Sequence, residues 1–330
     1  MNAPLVDQIA KTVLYEGYML YPYRPSSVKN HQRWNFGVLY PDSYAEVEQG
    51  NERCSMRAEC LVSGSVASKL TVNIRFLHLV SRTSPSQGSA QTMPETLQEA
   101  VERDLVLPQK AMGDLFTAAS VPFEFHANVQ SQAVRSREED EDLAVRQAEV
   151  LSGIVEIRVE VLAKDLFRVS AVVRNTTLLS SPTLPREQAL LHSLVSTHAI
   201  FQLEEGSFIS LLDPPEEFRD QAATCQNLGV WPVLVGAPGQ RDTVLASPII
   251  LYDYPQIAPE SAGDLFDGTE IDEILSLRIM TLTDEEKEEI RRSDDRVRQV
   301  LERTDAMPAE QFLKLHGAVR GMRPVNPEGQ

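Results

Sequence analysis

Apolar residues Leu5, Val6, Ile9, Ala10, Val13 and Leu14 recur at helical spacing after Pro4, which predicts a short amphipathic helix at the start of the chain. The period then changes to two. Trp34, Phe36, Val38 and Tyr40 alternate with polar or small residues, as do Val72, Ile74, Phe76, His78 and Val80, and each set predicts a half-buried strand. Between them Tyr21 to Arg33 carries prolines and a polar run that break both periods, so a loop is expected. Ser81 to about Glu95 is rich in Ser, Thr, Gln, Pro and Gly and reads as a mobile connection. Short helices are predicted around Thr96 to Val106 and Lys110 to Ala119, then a strand-like piece at Phe123 and Phe125. Ser131 to Glu149 is dominated by charge and reads as a solvated loop or helix face.

The clearest hairpin follows. Val155, Ile157, Val159 and Val161 alternate with charged residues, Ala163 to Asp165 turn the chain, and Phe167, Val169, Ala171 and Val173 alternate on the return. A helix from about Arg186 to His198 would present Leu191, Leu194, Val195 and His198 on one side. Val230 to Val235 and Ile249 to Leu251 are apolar runs that predict buried strands. From there the pattern is helical. Thr269 with Asp272, then Thr283 with Glu286, are N-cap signatures that place two separate helices, the first with Ile271, Ile274, Leu275, Ile279 and Leu282 on its buried face. The second, to Arg303, has few apolar residues and is expected on the surface, and Pro308 can begin a last helix carrying Phe312, Leu315 and Val319. Strands followed by helices predict an α+β fold, a largely antiparallel N-terminal part and a mixed, helix-rich C-terminal part. The division expected is a β-rich domain at 1–180, with mobile insertions near 81–95 and 131–149, and a mixed domain at 181–330.

Composition narrows the function. A formal net charge of -17 over 330 residues argues against nucleic acid, whose phosphates need a basic surface, and against an anionic membrane. Three cysteines make no disulfide framework, so a cytoplasmic location is expected, and no apolar run is long enough for membrane insertion. Between Asp242 and Leu277 there are eight acidic residues and no Lys or Arg. Those from Asp253 to Glu273, with Asp264, Asp267 and Glu270 at their centre, admit a divalent cation and hence a cation-dependent hydrolase, although the alternating spacing of a calcium loop is missing. Glu270, Asp272 and Glu273 also suit the first turn of a helix. Cys54 and Cys60 are too widely spaced for a paired zinc knuckle, and His192 and His198 lack helical ligand spacing. No phosphate-binding loop and no nucleophile elbow occurs, so no catalytic residue is assigned and no cofactor is expected. Arg24, Lys29 and Arg33 gather near Tyr21, Tyr23 and Trp34, the composition of an interface centre. The same cluster can instead fold back as an internal clasp on Asp264, Asp267 or Glu270.

Four stretches carry a resemblance: 15–41 (YEGYMLYPYRPSSVKNHQRWNFGVLYP), 196–218 (STHAIFQLEEGSFISLLDPPEEF), 225–236 (CQNLGVWPVLVG) and 247–287, beginning SPIILYDYPQIAP. Through them the chain resembles an uncharacterised bacterial protein family encoded in the operons of oxygen-tolerant uptake [NiFe]-hydrogenases. That family has no assigned catalytic residues to carry over. The resemblance implies a non-catalytic accessory, assembly or maturation role beside a metalloenzyme, with hydrogenase subunits or other accessory proteins as partners.

Overall fold

The computed structural model describes residues 3–48, 52–84, 95–135, 141–257, 263, 265–266, 272–293, 295–308 and 315. The chain forms two compact units, one of Met1–Tyr15 with Trp34–Pro255 and one of Glu16–Arg33 with Gln256–Gln330. The expected boundary near 180 is therefore not where the chain divides, because strands beyond it belong to the same sheet as those before it. Strand is concentrated in the N-terminal part and helix in the C-terminal part, an α+β arrangement. No helix among the described residues is long and apolar enough to cross a membrane.

In the first unit, α1 (Ala3–Leu14) buries Val6, Ile9, Ala10, Val13 and Leu14 as its spacing requires, and α2 (Asp42–Val47) is a short helix started by Pro41. The sheet is built around β1 (Ser55–Ser84). The others are β2 (Glu95–Val106), β3 (Lys110–Ala111), β4 (Ala119–Phe125), β5 (Asn128–Arg135), β6 (Glu141–Ala148), β7 (Leu151–Ala163) and β8 (Leu166–Asn175). After α3 (Arg186–Leu190) come β9 (Val195–Ile209), α4 (Arg219–Ala223), β10 (Trp231–Leu234) and β11 (Thr243–Ser247). The main path runs β10-β11-β9-β1-β8-β7-β4, and every pairing is antiparallel. β1 is used along both edges: Leu61 faces Arg168 of β8 and Ile209 of β9, while Val80 faces Glu99 of β2 and Ala148 of β6. A register shift between Gly64 and Lys69 bends it, and buried Ser68 holds the bulge by donating to the Glu205 carbonyl (2.5 Å).

The core lies on the face that β1, β7, β8 and β9 share, where Cys60, Phe76, Val155, Val169, Phe201 and their neighbours pack together. The β7–β8 hairpin follows its alternation, with Val155, Ile157 and Val159 inward and Glu156, Arg158 and Glu160 outward. Its turn puts Asp165 at φ +58°, a conformation a short polar side chain tolerates.

Several expected elements are different. Thr96 to Val106 is not a helix but β2, and Lys110 to Ala119 holds β3, a 3-10 turn at Met112–Leu115 and the first residue of β4. The described parts of the two supposedly mobile insertions are strand, and residues 85–94 and 136–140 lie outside the described residues. The helix at 186 ends at Leu190, a turn follows, and Val195 to His198 begin β9. Trp34 to Tyr40 is a loop, because Trp34 (φ +63°) and Gly37 (φ +52°) leave the extended region. No strand forms at Ile249 to Leu251: β11 ends at Ser247, before Pro248, and Ile250 is 72% exposed.

The second unit contains α5 (Asp272–Met280), α6 (Asp284–Arg292) and α7 (Asp295–Asp305). Thr269 and Ile271 lie outside the described residues, as does the last predicted helix apart from exposed Pro308 and buried Leu315. The capping box of Thr283 and Glu286 forms with both bonds, 3.2 and 3.0 Å. The single helix expected to Arg303 is broken at Ser293 into two, which bury Ile290, Val297, Val300 and Leu301.

Candidate functional site

The aromatic and basic loop belongs to the second unit, where buried Asn30 organises it. Its Nδ2 donates to the carbonyls of Leu20 (2.8 Å) and Arg24 (3.0 Å), and its Oδ1 accepts from the Leu20 amide (2.9 Å). Tyr23 is buried and donates its hydroxyl to the Leu265 carbonyl (2.7 Å), while Tyr21 packs edge-on against Tyr23 and lies under the Arg278 guanidinium, 5.4 Å from the ring centre. Arg24 faces α6, with Nη2 3.2 Å from Glu286 and Nη1 3.8 Å from Glu289, and Glu289 also accepts from the Ser26 amide (3.1 Å). Arg33 reaches the Met19 sulfur at 4.0 Å, and Lys29 is exposed. The proposed partners Asp264, Asp267 and Glu270 lie outside the described residues. Trp34 belongs to the first unit, where it is buried.

The acidic stretch is in part structural. Asp253 accepts from the Leu234 amide (2.8 Å) and the Ser210 hydroxyl (2.5 Å), while the Tyr254 amide donates to the Leu234 carbonyl (2.7 Å). Together these cover the outer edge of β10, where Pro232 has no amide to offer, and they guard a strand edge against foreign pairing. Asp272 and Glu273 occupy the first turn of α5, where negative charge suits the helix dipole. Among the described residues no three His, Cys, Asp or Glu side chains gather as a metal group. Cys60 is buried in the core and its thiol is pushed well above the usual range by that burial; Cys54 is half-buried and raised first by burial, then by Asp42.

A cleft of about 270 Å³ opens in the first unit. The loop 35–39 forms one wall, stitched to the approach and start of β9 by Ser196 and Thr197 amides donating to the Phe36 and Gly37 carbonyls (both 3.0 Å) and by a two-way bridge between Leu39 and Leu194. Gly37 is required there: a Cβ would stand 2.6 Å from Pro248. Gly229 and Trp231, at the entry to β10, form the wall opposite, and Glu52, Arg53 and buried Met56 complete the lining. Two aromatic rings are left to solvent, Trp231 at 44% and Phe36 at 43% exposure. Arg186 holds the loop from behind, its Nη2 donating to the Trp34 carbonyl (3.0 Å) and Asn35 Oδ1 (2.8 Å). Burial pushes Tyr40 up to about 12 and raises Glu52, against which the Arg186 charge acts and to which Glu48 adds.

The alternation from Trp34 to Tyr40 places Phe36 in a strand and the run 230–235 places Trp231 in a buried one, and no local pattern marks Glu52 or Arg53. A Trp at the head of the run 230–235 was the only local signal, and it does not reveal exposure. Chemically the cleft offers an aromatic rim, a carboxylate and a guanidinium, a recognition surface rather than an acid, base and nucleophile in register. Compared with protein-family models and with curated proteins, the chain matches none.

Proposed function

We propose that the protein is a non-catalytic cytoplasmic accessory protein that binds a protein partner through the cleft at Phe36 and Trp231 and serves the assembly or maturation of an [NiFe]-hydrogenase. One observation carries this reading. The first of the four stretches behind the hydrogenase-operon resemblance is far in sequence from the other three, which follow one another closely, yet each lines the same cleft: Asn35 to Leu39 from the first, Thr197 from the second, Gly229 and Trp231 from the third and Pro248 from the fourth. Exposed aromatics flanking a recess also suit a partner's anchor residue, since burying the part of each ring still in water stabilises a complex by about 1 kcal/mol.

The test is capture of separately expressed hydrogenase subunits and accessory proteins by the tagged chain. At least one should be retained, and Trp231→Ala or Phe36→Ala should weaken its retention about tenfold or more without changing the melting temperature, because both rings are already half in water. Retention of none of them, or retention indifferent to both substitutions, would overturn the proposal.

A further inference from the structure

We infer that the cleft recognises an extended protein segment that sets a Lys or Arg side chain on the Glu52 carboxylate and an adjacent apolar side chain against Trp231 and Phe36. The inference rests on the reading of this cleft as a docking site and adds the chemistry of what docks.

Glu52 is half-buried, and among the described residues no cation lies within 4.0 Å of its carboxylate. Arg186 acts on it only at a distance, with Nη2 bonded to Trp34 and Asn35. Burial disfavours its charge, the Arg186 charge offsets part of that and Glu48 adds a smaller opposition, so an arriving cation stabilises the carboxylate further. Glu48, at the end of α2, adds negative charge to that of Glu52, in a chain whose net charge of -17 repels acidic partners and draws basic ones.

The rest of the cleft selects what stands beside the cation. Trp231 and Phe36 are exposed, and Val38, Leu39 and Met56 behind them are buried and apolar. A volume of about 270 Å³ is at the small end of ligand sites, which suits a few residues of a segment and not a protein face. Arg53 is exposed, with no carboxylate within 4.0 Å among the described residues. It offers donors to a carbonyl of the same segment, which fixes its direction.

The two tryptophans provide the readout, because Trp34 is 5% exposed and Trp231 44%. The probe is the acetylated, amidated hexapeptide Gly-Ser-Lys-Leu-Ser-Gly, titrated into the ¹⁵N-labelled full chain while the two indole resonances are followed. The Trp231 signal should shift and saturate while that of Trp34 stays. Replacing the peptide's Lys by Glu, or its Leu by Ser, should weaken binding about fivefold or more, and Glu52→Gln should remove the preference for Lys over Glu. Unchanged dispersion of both indole signals shows that the variant is folded. Equal binding of the Lys and Glu peptides, an unaltered preference in Glu52→Gln, or no shift at Trp231 would overturn the inference. If a hydrogenase protein is captured in a Trp231-dependent way but Glu52→Gln captures it as well, the docking reading survives and the basic segment does not. If the peptide binds as described and no hydrogenase protein is captured, the hydrogenase assignment fails and the chemistry of the cleft stands.

Discussion

Gly37 has a φ of +52° and sits where an added Cβ would be 2.6 Å from Pro248 and 3.1 Å from the Thr197 amide nitrogen. Gly239 has a φ of +88° with nothing within 4 Å of the same position. Alanine at Gly239 therefore meets only the left-handed backbone cost, about 1–2 kcal/mol, while alanine at Gly37 adds overpacking of about 1–3 kcal/mol. In urea unfolding Gly37→Ala should lose clearly more stability than Gly239→Ala. Equal losses would mean that the loop 35–39 yields freely and does not form a fixed cleft wall. The sequence shows both glycines, but only folding brings Pro248 against one of them.

Within the second unit, one carboxylate joins an element to a loop. Glu286 closes the cap of α6 with Oε2 on the Thr283 amide (3.0 Å) and meets Arg24 with Oε1 (3.2 Å). Thr283→Ala should cost about 1 kcal/mol. Arg24 and Glu286 are each about a quarter exposed, so solvent screening leaves their coupling at about 0.5–1 kcal/mol. A double-mutant cycle on Arg24→Ala and Glu286→Gln, read by thermal melting, should return that coupling, and a value of zero would show the pair to be incidental. The cap was legible from Thr283 and Glu286 alone because its partners are three residues apart. Strand β2 was not, and the reason is particular. Its buried face carries Glu99, held by Arg82 (2.9 Å) and Arg146 (2.7 Å), and Arg103, which lies 3.3 Å from His78 Nδ1 and 4.6 Å from the Phe125 ring centre. Charges on the inward positions erased the alternation that marks a strand. β9 failed differently: from Val195 to Phe201 it is buried throughout, so it has no polar face to set a period.

For the molecule as a whole, two buried histidines set the acid limit. Burial lowers His78 to about 4, with the Arg103 charge adding to the effect, and burial lowers His198 likewise to about 4, against the carbonyl of Ser196 that its Nδ1 contacts. Both values lie below the ordinary 6.5, so below that pH the unfolded chain binds protons that the folded chain refuses. Their contribution is complete above about pH 6.5 and is lost as the pH falls from there toward 4, at about 1.4 kcal/mol per pH unit for each histidine. Urea unfolding across this range should show the slope, and His198→Asn should reduce it by about half. A slope unaltered by the substitution would show that His198 contributes nothing to the acid sensitivity.

The sequence by itself determined what neighbours along the chain can settle: the opening helix, the β7–β8 hairpin, the separate start of α6, the α+β order of strands before helices and the acidic balance. Each depends on a period or a cap spanning a few residues, so the physics is local. Only the tertiary structure decided which side chains meet. The long central strand β1 is paired on both edges, and its partners, from β2 to β9, lie tens of residues away or more. Trp231, Phe36, Glu52 and Pro248 are scattered through the chain and share a cleft because the β10 entry, the loop before α2, the approach to β1 and the end of β11 converge. Exposure of an aromatic ring is a property of what fails to cover it, and no residue beside it in sequence records that.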